Sequence, residues 1–97
     1  MFVVLINFPP IKIGKEAEFE EWFTWSTQQY SRFSGFVGRR LLKPVAGGNY
    51  AAIVEYECED NFRAIHGSPE HDEARDRLAP LLHGMPTPHF YKVVVGE

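Results

Sequence analysis

Residues 35–71, GFVGRRLLKPVAGGNYAAIVEYECEDNFRAIHGSPEH, carry the pattern from which the architecture of this chain can be predicted. The first half predicts two strands, residues 36–44 and 49–58, joined by the turn VAGGN, whose glycines permit the positive φ of a tight hairpin. A helical region begins near Glu59, breaks at Gly67 and restarts at Ser68-Pro69, because serine is a preferred N-cap and proline a preferred first helical residue. The stretch therefore predicts a β-hairpin followed by a broken helix.

The flanking segments predict two more strands and one more helix. Residues 2–8, FVVLINF, are a β-rich run ended by two prolines, which cannot continue a strand ladder. Between residues 15 and 33 the apolar period becomes helical, and one stripe carries Phe19, Trp22, Phe23, Ser26, Tyr30 and Phe33, with Gly35 as the predicted stop. Pro80 limits the second helical region, residues 84–88 predict a loop, and residues 88–95, PHFYKVVV, predict the last strand.

The resulting order, β-α-β-β-α-β, is the ferredoxin-like α+β arrangement, with a four-stranded antiparallel sheet and two helices on one face. The 97 residues make one domain. In the first strand we expect Phe2, Val4, Ile6 and Phe8 on the sheet face away from the helices, and Asn7 on the helix side. That exposed apolar face, together with the 14% aromatic content, predicts a homodimer formed by two packed sheets.

Composition excludes several classes of function. A net charge of −3 argues against a nucleic-acid partner, and the dense basic segment, Arg39, Arg40 and Lys43, is interpreted as a solvated strand edge. The single Cys58 excludes an intramolecular disulfide and suits a reducing cytoplasm. The N-terminal apolar run is too short to span a bilayer, so we expect a cytoplasmic protein without a signal peptide or a membrane partner.

The strongest polar candidate on a strand is Asn7, a carboxamide among apolar neighbours that must find hydrogen-bond partners or cost about 1–3 kcal/mol. It either serves a pocket or satisfies the local backbone near Pro9. On the second helical region, positions 71, 74, 75, 78 and 82 share one stripe, which places His71 and Arg75 among apolar residues. These two either line a cavity or are structural: Arg75 could pair with Glu73, Asp76 or a strand carboxylate, or snorkel to solvent.

Other candidates depend on a cavity between helices and sheet. His66 precedes the break at Gly67 and is either functional or a partly exposed capping residue. The helix stripe with Trp22, Phe23 and Tyr30 is either core or a cavity wall, and Trp25 is expected at a rim or exposed. No His, Cys, Asp or Glu set has the spacing of a metal site, so no metal is predicted.

The whole chain resembles the antibiotic-biosynthesis-monooxygenase-like family of dimeric α+β barrels. The matching segments are the GF at the start of the second strand, LLKP before the turn, and YECEDNFRAIHGSPEH leading into the broken helix. The resemblance implies a homodimer and a cavity used for oxygen chemistry or ligand binding. Members include cofactor-free oxygenases of polycyclic or quinol-type aromatics, haem-degrading oxygenases, small-molecule isomerases and proteins without a known role.

Within this family the haem-degrading branch also carries Asn on the first strand, as Asn7 here, but needs a Trp and a ligand His on the second helix. Aligned at Phe62, those positions hold Ile65 and either Ala74 or Arg75, so haem is a secondary alternative.

The resemblance therefore favours a cofactor-independent monooxygenase that oxidises an aromatic or quinol-type substrate. Asn7 would orient substrate, His71 or His66 would act as the base, and Arg75 would hold the anion. The apolar wall would come from Trp22, Phe23, Tyr30, Ile65 and Leu78. The alternative is a non-catalytic dimeric domain that binds a small apolar ligand or serves as a stress-linked scaffold. If Trp22, Phe23, Ile65 and Leu78 fill the cavity, catalysis there is not expected.

Overall fold

The computed structural model describes residues 1–96 and confirms the predicted α+β ferredoxin-like order, with the second helical region split in two. The elements, in chain order, are β1 (Phe2–Asn7), α1 (Glu16–Tyr30), β2 (Phe36–Leu42), β3 (Ala51–Tyr56), α2 (Glu59–His66), α3 (Pro69–Leu78) and β4 (Thr87–Lys92), with a 3₁₀ turn at Ala79–Leu81.

The four strands form one antiparallel sheet in the order β2-β3-β1-β4. β1 lies in the interior of the sheet, where Val4 is opposite Val54 on β3 and opposite Phe90 on β4. Residues directly opposite each other in an antiparallel pair share one face, so this row of three apolar side chains lies on a single face of the sheet.

The ends of the helices follow local chemistry. Ser68 caps α3, because its Oγ accepts a hydrogen bond from the His71 N–H at 3.2 Å, and Pro69 is the first helical residue, as predicted. α1 ends at Tyr30, three residues before the predicted end, and Gly35 lies in the turn before β2 with φ +79°. β4 likewise ends at Lys92, so the last three residues of the predicted strand lie outside the sheet.

The prediction of which β1 face meets the helices was wrong. Val4 and Phe8 are each only 3% exposed and belong to the core between sheet and helices, with Ile6 packed against the same core. Asn7 is exposed and lies on the opposite face with Leu5. The alternation of strand residues separates two sets of side chains, but only helix packing decides which set is covered.

The core has two adjoining parts. One surrounds the edge-to-face pair of Phe8 and Phe19, whose ring centroids are 5.0 Å apart. The other surrounds the strand residues Val4 and Val54 and the fully buried Ile65 of α2. Among the described residues, no helix is long and apolar enough to cross a membrane.

Candidate active site

A cavity of about 220 Å³ lies between the helices and the sheet and is open. Its walls are mostly apolar and come from three sources: the sheet, the helices, and the segment before and within β4. They include Val4, Ile6 and Val54; Trp22, Ile65 and Leu78; and Met85, Pro88 and Phe90. Trp22, Ile65 and Leu78 therefore line the cavity without filling it, which leaves room for a ligand.

Two histidines meet at this cavity because the helix is broken between them. His66 is the last residue of α2, and Ser68 restarts the chain as α3, which places His71 in the first turn of the new helix. The two imidazole centroids are 4.5 Å apart, and both residues line the cavity. The ring of Tyr30 stacks on His71 from the α1 side, at 6.3 Å between centroids.

His71 has the properties of a proton acceptor. Its Nδ1 is buried and has no hydrogen-bond partner within the described residues. Burial lowers the pKa of His71, and the neighbouring His66 and Arg75 lower it further. Because the ordinary pKa of histidine is about 6.5, His71 is a neutral imidazole at neutral pH, able to accept a proton.

The cavity also contains a partly buried cation, Arg39 of β2, which sequence reasoning assigned to a solvated edge. That interpretation was wrong for Arg39 and correct for Arg40, whose side chain is 71% exposed and lies 3.8 Å from Glu55. A signal was present in the sequence. Arg39 and Arg40 are consecutive on a strand, so one of them had to point toward the helices.

Aromatic rings surround the guanidinium of Arg39. Its Cζ lies 4.1 Å from the ring centroid of Phe23 and 4.9 Å from that of Tyr30. Its Nη1 donates a 2.8 Å hydrogen bond to Ser26 Oγ. Burial lowers the pKa of Arg39 to about 10, so the group remains charged at neutral pH.

The tyrosine hydroxyls at the cavity stay protonated. Burial raises the pKa of Tyr56 to about 12, although the nearby Arg39 opposes this, and burial also raises the pKa of Tyr30. Both residues line the cavity, where they can donate hydrogen bonds but cannot act as bases near pH 7.

Arg75 lines the cavity from α3, yet it is largely exposed. Its Nη2 lies 3.4 Å from Asp72 Oδ1, and the side chain is 55% exposed. The partner is Asp72 and not Glu73, Asp76 or a strand carboxylate, which the sequence had suggested, and Arg39 is better placed to hold an anion inside the cavity. Arg77, the next basic residue on the helix, pairs with Glu73.

The structure brings together most of the residues predicted for the site: His66, His71, Trp22, Tyr30, Ile65, Arg75 and Leu78 all line the cavity. Asn7 does not, because it lies on the open face of the sheet; its predicted position on the helix side was wrong. Phe23 does not line the cavity either and packs against Arg39 in the core. Trp22 is held in place by a 2.8 Å hydrogen bond from its Nε1 to the carbonyl of Ala74.

Comparison with solved structures identifies proteins that share this fold. No model of a protein family matches the chain, and no curated protein matches it. A solved structure described as a proposed antibiotic biosynthesis monooxygenase, from Nitrosomonas europaea, superposes with a TM-score of 0.83 at 17% identity over 97% of this chain and 99% of that one. A second structure with that description, from Bordetella bronchiseptica, superposes with a TM-score of 0.80 at 23% identity, over 97% of this chain and 98% of that one.

A third similar structure is SnoaB from Streptomyces nogalater, described as a cofactor-independent oxygenase. Its TM-score is 0.77 at 25% identity, over 95% of this chain and 89% of that one. The chain has the antibiotic-biosynthesis-monooxygenase-like fold. This finding confirms the resemblance drawn from the sequence.

Haem does not fit the cavity of this monooxygenase-like domain. The cavity, at about 220 Å³, is not much larger than the roughly 150 Å³ cavity that holds benzene, whereas a haem carries a macrocycle of four pyrrole rings. Ile65, at the position where the haem-degrading branch carries Trp, is 2% exposed and belongs to the core. For a free metal ion, as distinct from haem, residues 1–96 hold no group of three or more His, Cys, Asp or Glu side chains placed as ligands.

Proposed function

We propose that this protein is a small-molecule monooxygenase that oxidises an aromatic or quinol-type substrate in the helix–sheet cavity without a cofactor. The observation that carries the proposal is the apolar cavity between helices and sheet, which is lined by His71, an imidazole that burial keeps neutral at pH 7. The similarity to SnoaB, described as a cofactor-independent oxygenase, supports the absence of a cofactor.

The reaction needs a base and a dry site. His71 accepts a proton from an acidic O–H or C–H of the substrate, which leaves an electron-rich anion. That anion transfers one electron to O₂, and the resulting radical pair combines to form a C–O bond and a peroxide. Protonation of the peroxide and loss of water convert a CH₂ group to C=O: one oxygen atom enters the product, the other leaves as water, and the substrate supplies all four electrons.

The walls of the cavity favour this series of reaction steps. Apolar side chains such as Val4, Ile65 and Leu78 keep water away from the anion and the peroxide, which suppresses competing hydrolysis and protonation. His66, in ring contact with His71, is placed to receive or return the proton. Because the His66 side chain is exposed, it can exchange that proton with solvent.

The test is oxygen consumption with a panel of one- and two-ring phenols and quinols, together with ¹⁸O₂ labelling read by mass spectrometry. One labelled oxygen atom in the product and loss of at least tenfold in turnover for His71→Asn are expected. His83→Asn is the matched control, because His83 is exposed and does not line the cavity. Equal turnover by His71→Asn would contradict the role of His71.

Substrate binding without oxygen consumption would instead indicate a non-catalytic ligand-binding domain. A hemin titration checks the haem alternative. We expect no saturable shift of the Soret band, and a shift saturating at one haem per chain would overturn the cofactor-independent assignment.

We also propose that the protein is a homodimer, formed through the open face of the sheet rather than through the face named from the sequence. This face carries apolar side chains from all four strands, among them Leu5, Leu42, Ile53 and Tyr91. Leu42 and Tyr91 are 43% and 52% exposed. Two such faces packed together would remove this apolar area from water.

A further inference from the structure

Arg39 is a partly buried cation without an anionic partner. No ion pair involves it among residues 1–96, and its one hydrogen bond there runs from Nη1 to Ser26. Its Nε is buried with no hydrogen-bond partner at all. Buried charges in proteins are normally paired, and a buried N–H without an acceptor costs about 1–3 kcal/mol.

The contacts around Arg39 leave one edge of its guanidinium without a hydrogen-bond partner. Ser26 occupies Nη1, and the rings of Phe23 and Tyr30 lie close to the guanidinium carbon. The remaining edge, formed by Nε and Nη2, has the parallel N–H geometry that matches a planar oxyanion, and its Nε is enclosed by surrounding side chains in the ligand-free protein. Because Arg39 lines the cavity, a ligand there is the available source of that oxyanion.

The size and walls of the cavity limit the rest of the ligand. An apolar cavity of about 150 Å³ is known to hold benzene. A cavity of about 220 Å³ therefore has room for one substituted ring or two fused rings, and not for a larger polycycle without movement of the walls. The apolar lining favours an aromatic body over a sugar or a phosphate ester.

We propose that Arg39 forms an oxyanion subsite and that the ligand is a one- or two-ring aromatic with an ionised oxygen, either a carboxylate or a phenolate. The inference rests on the proposed function, because it takes the same cavity as the substrate site. Arg75, the other arginine at the cavity, already has Asp72 and open solvent as partners. Arg39 has no carboxylate partner and is less exposed than Arg75, so a bound oxyanion would complete its hydrogen bonds.

The first experiment compares binding of 2-naphthoate and 2-naphthamide, which differ in charge but hardly in shape, by isothermal titration calorimetry. The wild-type protein should bind the carboxylate at least about tenfold more tightly, since hydrogen bonds to charged groups are the stronger ones. Arg39→Gln should remove this preference. Arg40→Gln is the matched control, because Arg40 carries the same charge one residue away on the other sheet face, and it should keep the preference.

The second experiment tests the phenolate with 2-naphthol, whose ionised form has its own absorption band. If Arg39 favours the phenolate, this band should appear at a pH at least one unit lower with wild-type protein than with Arg39→Gln or Arg39→Met. If the protein prefers naphthoate but does not shift the naphthol titration, the ligand is assigned to carboxylates. If the naphthol titration is also shifted, the assignment extends to phenolates.

Equal affinity for naphthoate and naphthamide in the wild type, with an unshifted naphthol titration, would overturn the subsite. So would a preference that persists in Arg39→Gln and Arg39→Met. Both experiments measure binding and ionisation, not turnover. A protein that shows the Arg39-dependent preference but consumes no oxygen with any phenol would therefore retain the subsite and lose the proposed monooxygenase activity.

Discussion

Replacing the partly buried arginine of β2 by methionine should stabilise the ligand-free protein. Met has a similar length and keeps apolar contact with the rings of Phe23 and Tyr30, but it carries no charge into the core. Ser26 loses one donor and keeps its hydrogen bond to the carbonyl of Phe23. The change therefore removes a desolvated charge without opening a large cavity.

The magnitude follows from the pKa of Arg39. Burial lowers it from about 12.5 to about 10, and each pKa unit is worth about 1.4 kcal/mol, so keeping the charge costs the folded state about 3 kcal/mol. Loss of the cation–π contacts offsets about 1–2 kcal/mol of this. The net expectation for Arg39→Met is a gain of about 1–2 kcal/mol, or several degrees in Tm for a domain of this size.

The pH dependence has a defined sign. Below the folded-state pKa both folded and unfolded chains are charged, so the cost to the wild type is present in full from pH 6 to 9. It falls as pH rises through about 10, because the folded state then releases its proton before the unfolded state does. The stability difference between Arg39→Met and wild type should therefore be constant near neutral pH and shrink at alkaline pH.

Urea denaturation at one protein concentration measures this difference, with Arg40→Met as control. Arg40 is exposed and makes only a long ion pair with Glu55, so its replacement should change the free energy of unfolding by less than about 0.5 kcal/mol. An Arg39→Met protein less stable than wild type by 1 kcal/mol or more, beside a neutral Arg40→Met, would refute the reasoning. It would mean that the contacts with the rings stabilise the folded state by more than the desolvated charge costs it.

Three further outcomes are expected. If His71 is the base, kcat/KM should fall on the acid side with an apparent pKa below about 6.5, because burial lowers the pKa of His71; an acid limb above pH 7 in a pH–rate profile would contradict this. Gly35→Ala should cost more stability in urea than Gly14→Ala, since both have φ +79° but only at Gly35 would the new Cβ collide with the Asn61 side chain; equal losses would refute the collision. Leu5→Asp on the open sheet face should yield monomer or aggregate by light scattering, and an unchanged dimer would contradict assembly through that face.

Local sequence patterns were sufficient to predict the order of elements and most of the cavity wall. The helical stripe of α1, the Ser68-Pro69 cap and the glycine-rich turn each depend on a few neighbouring residues, so the βαββαβ order could be inferred without knowledge of distant contacts. For the same reason the helical stripes placed Trp22, Tyr30, His71 and Leu78 on helix faces that the structure brings to one cavity, although the stripes alone left core and cavity wall as alternatives.

The choice of sheet face required the tertiary structure. Alternation along β1 separated Val4 from Asn7, but either set could have met the helices, and their packing on Val4 placed Asn7 outside the site. The same choice turned Arg39 into the cavity and left Arg40 in solvent. A strand pattern has two equivalent faces, and only the long-range packing of helices on one of them determines which polar side chains become buried and available for chemistry.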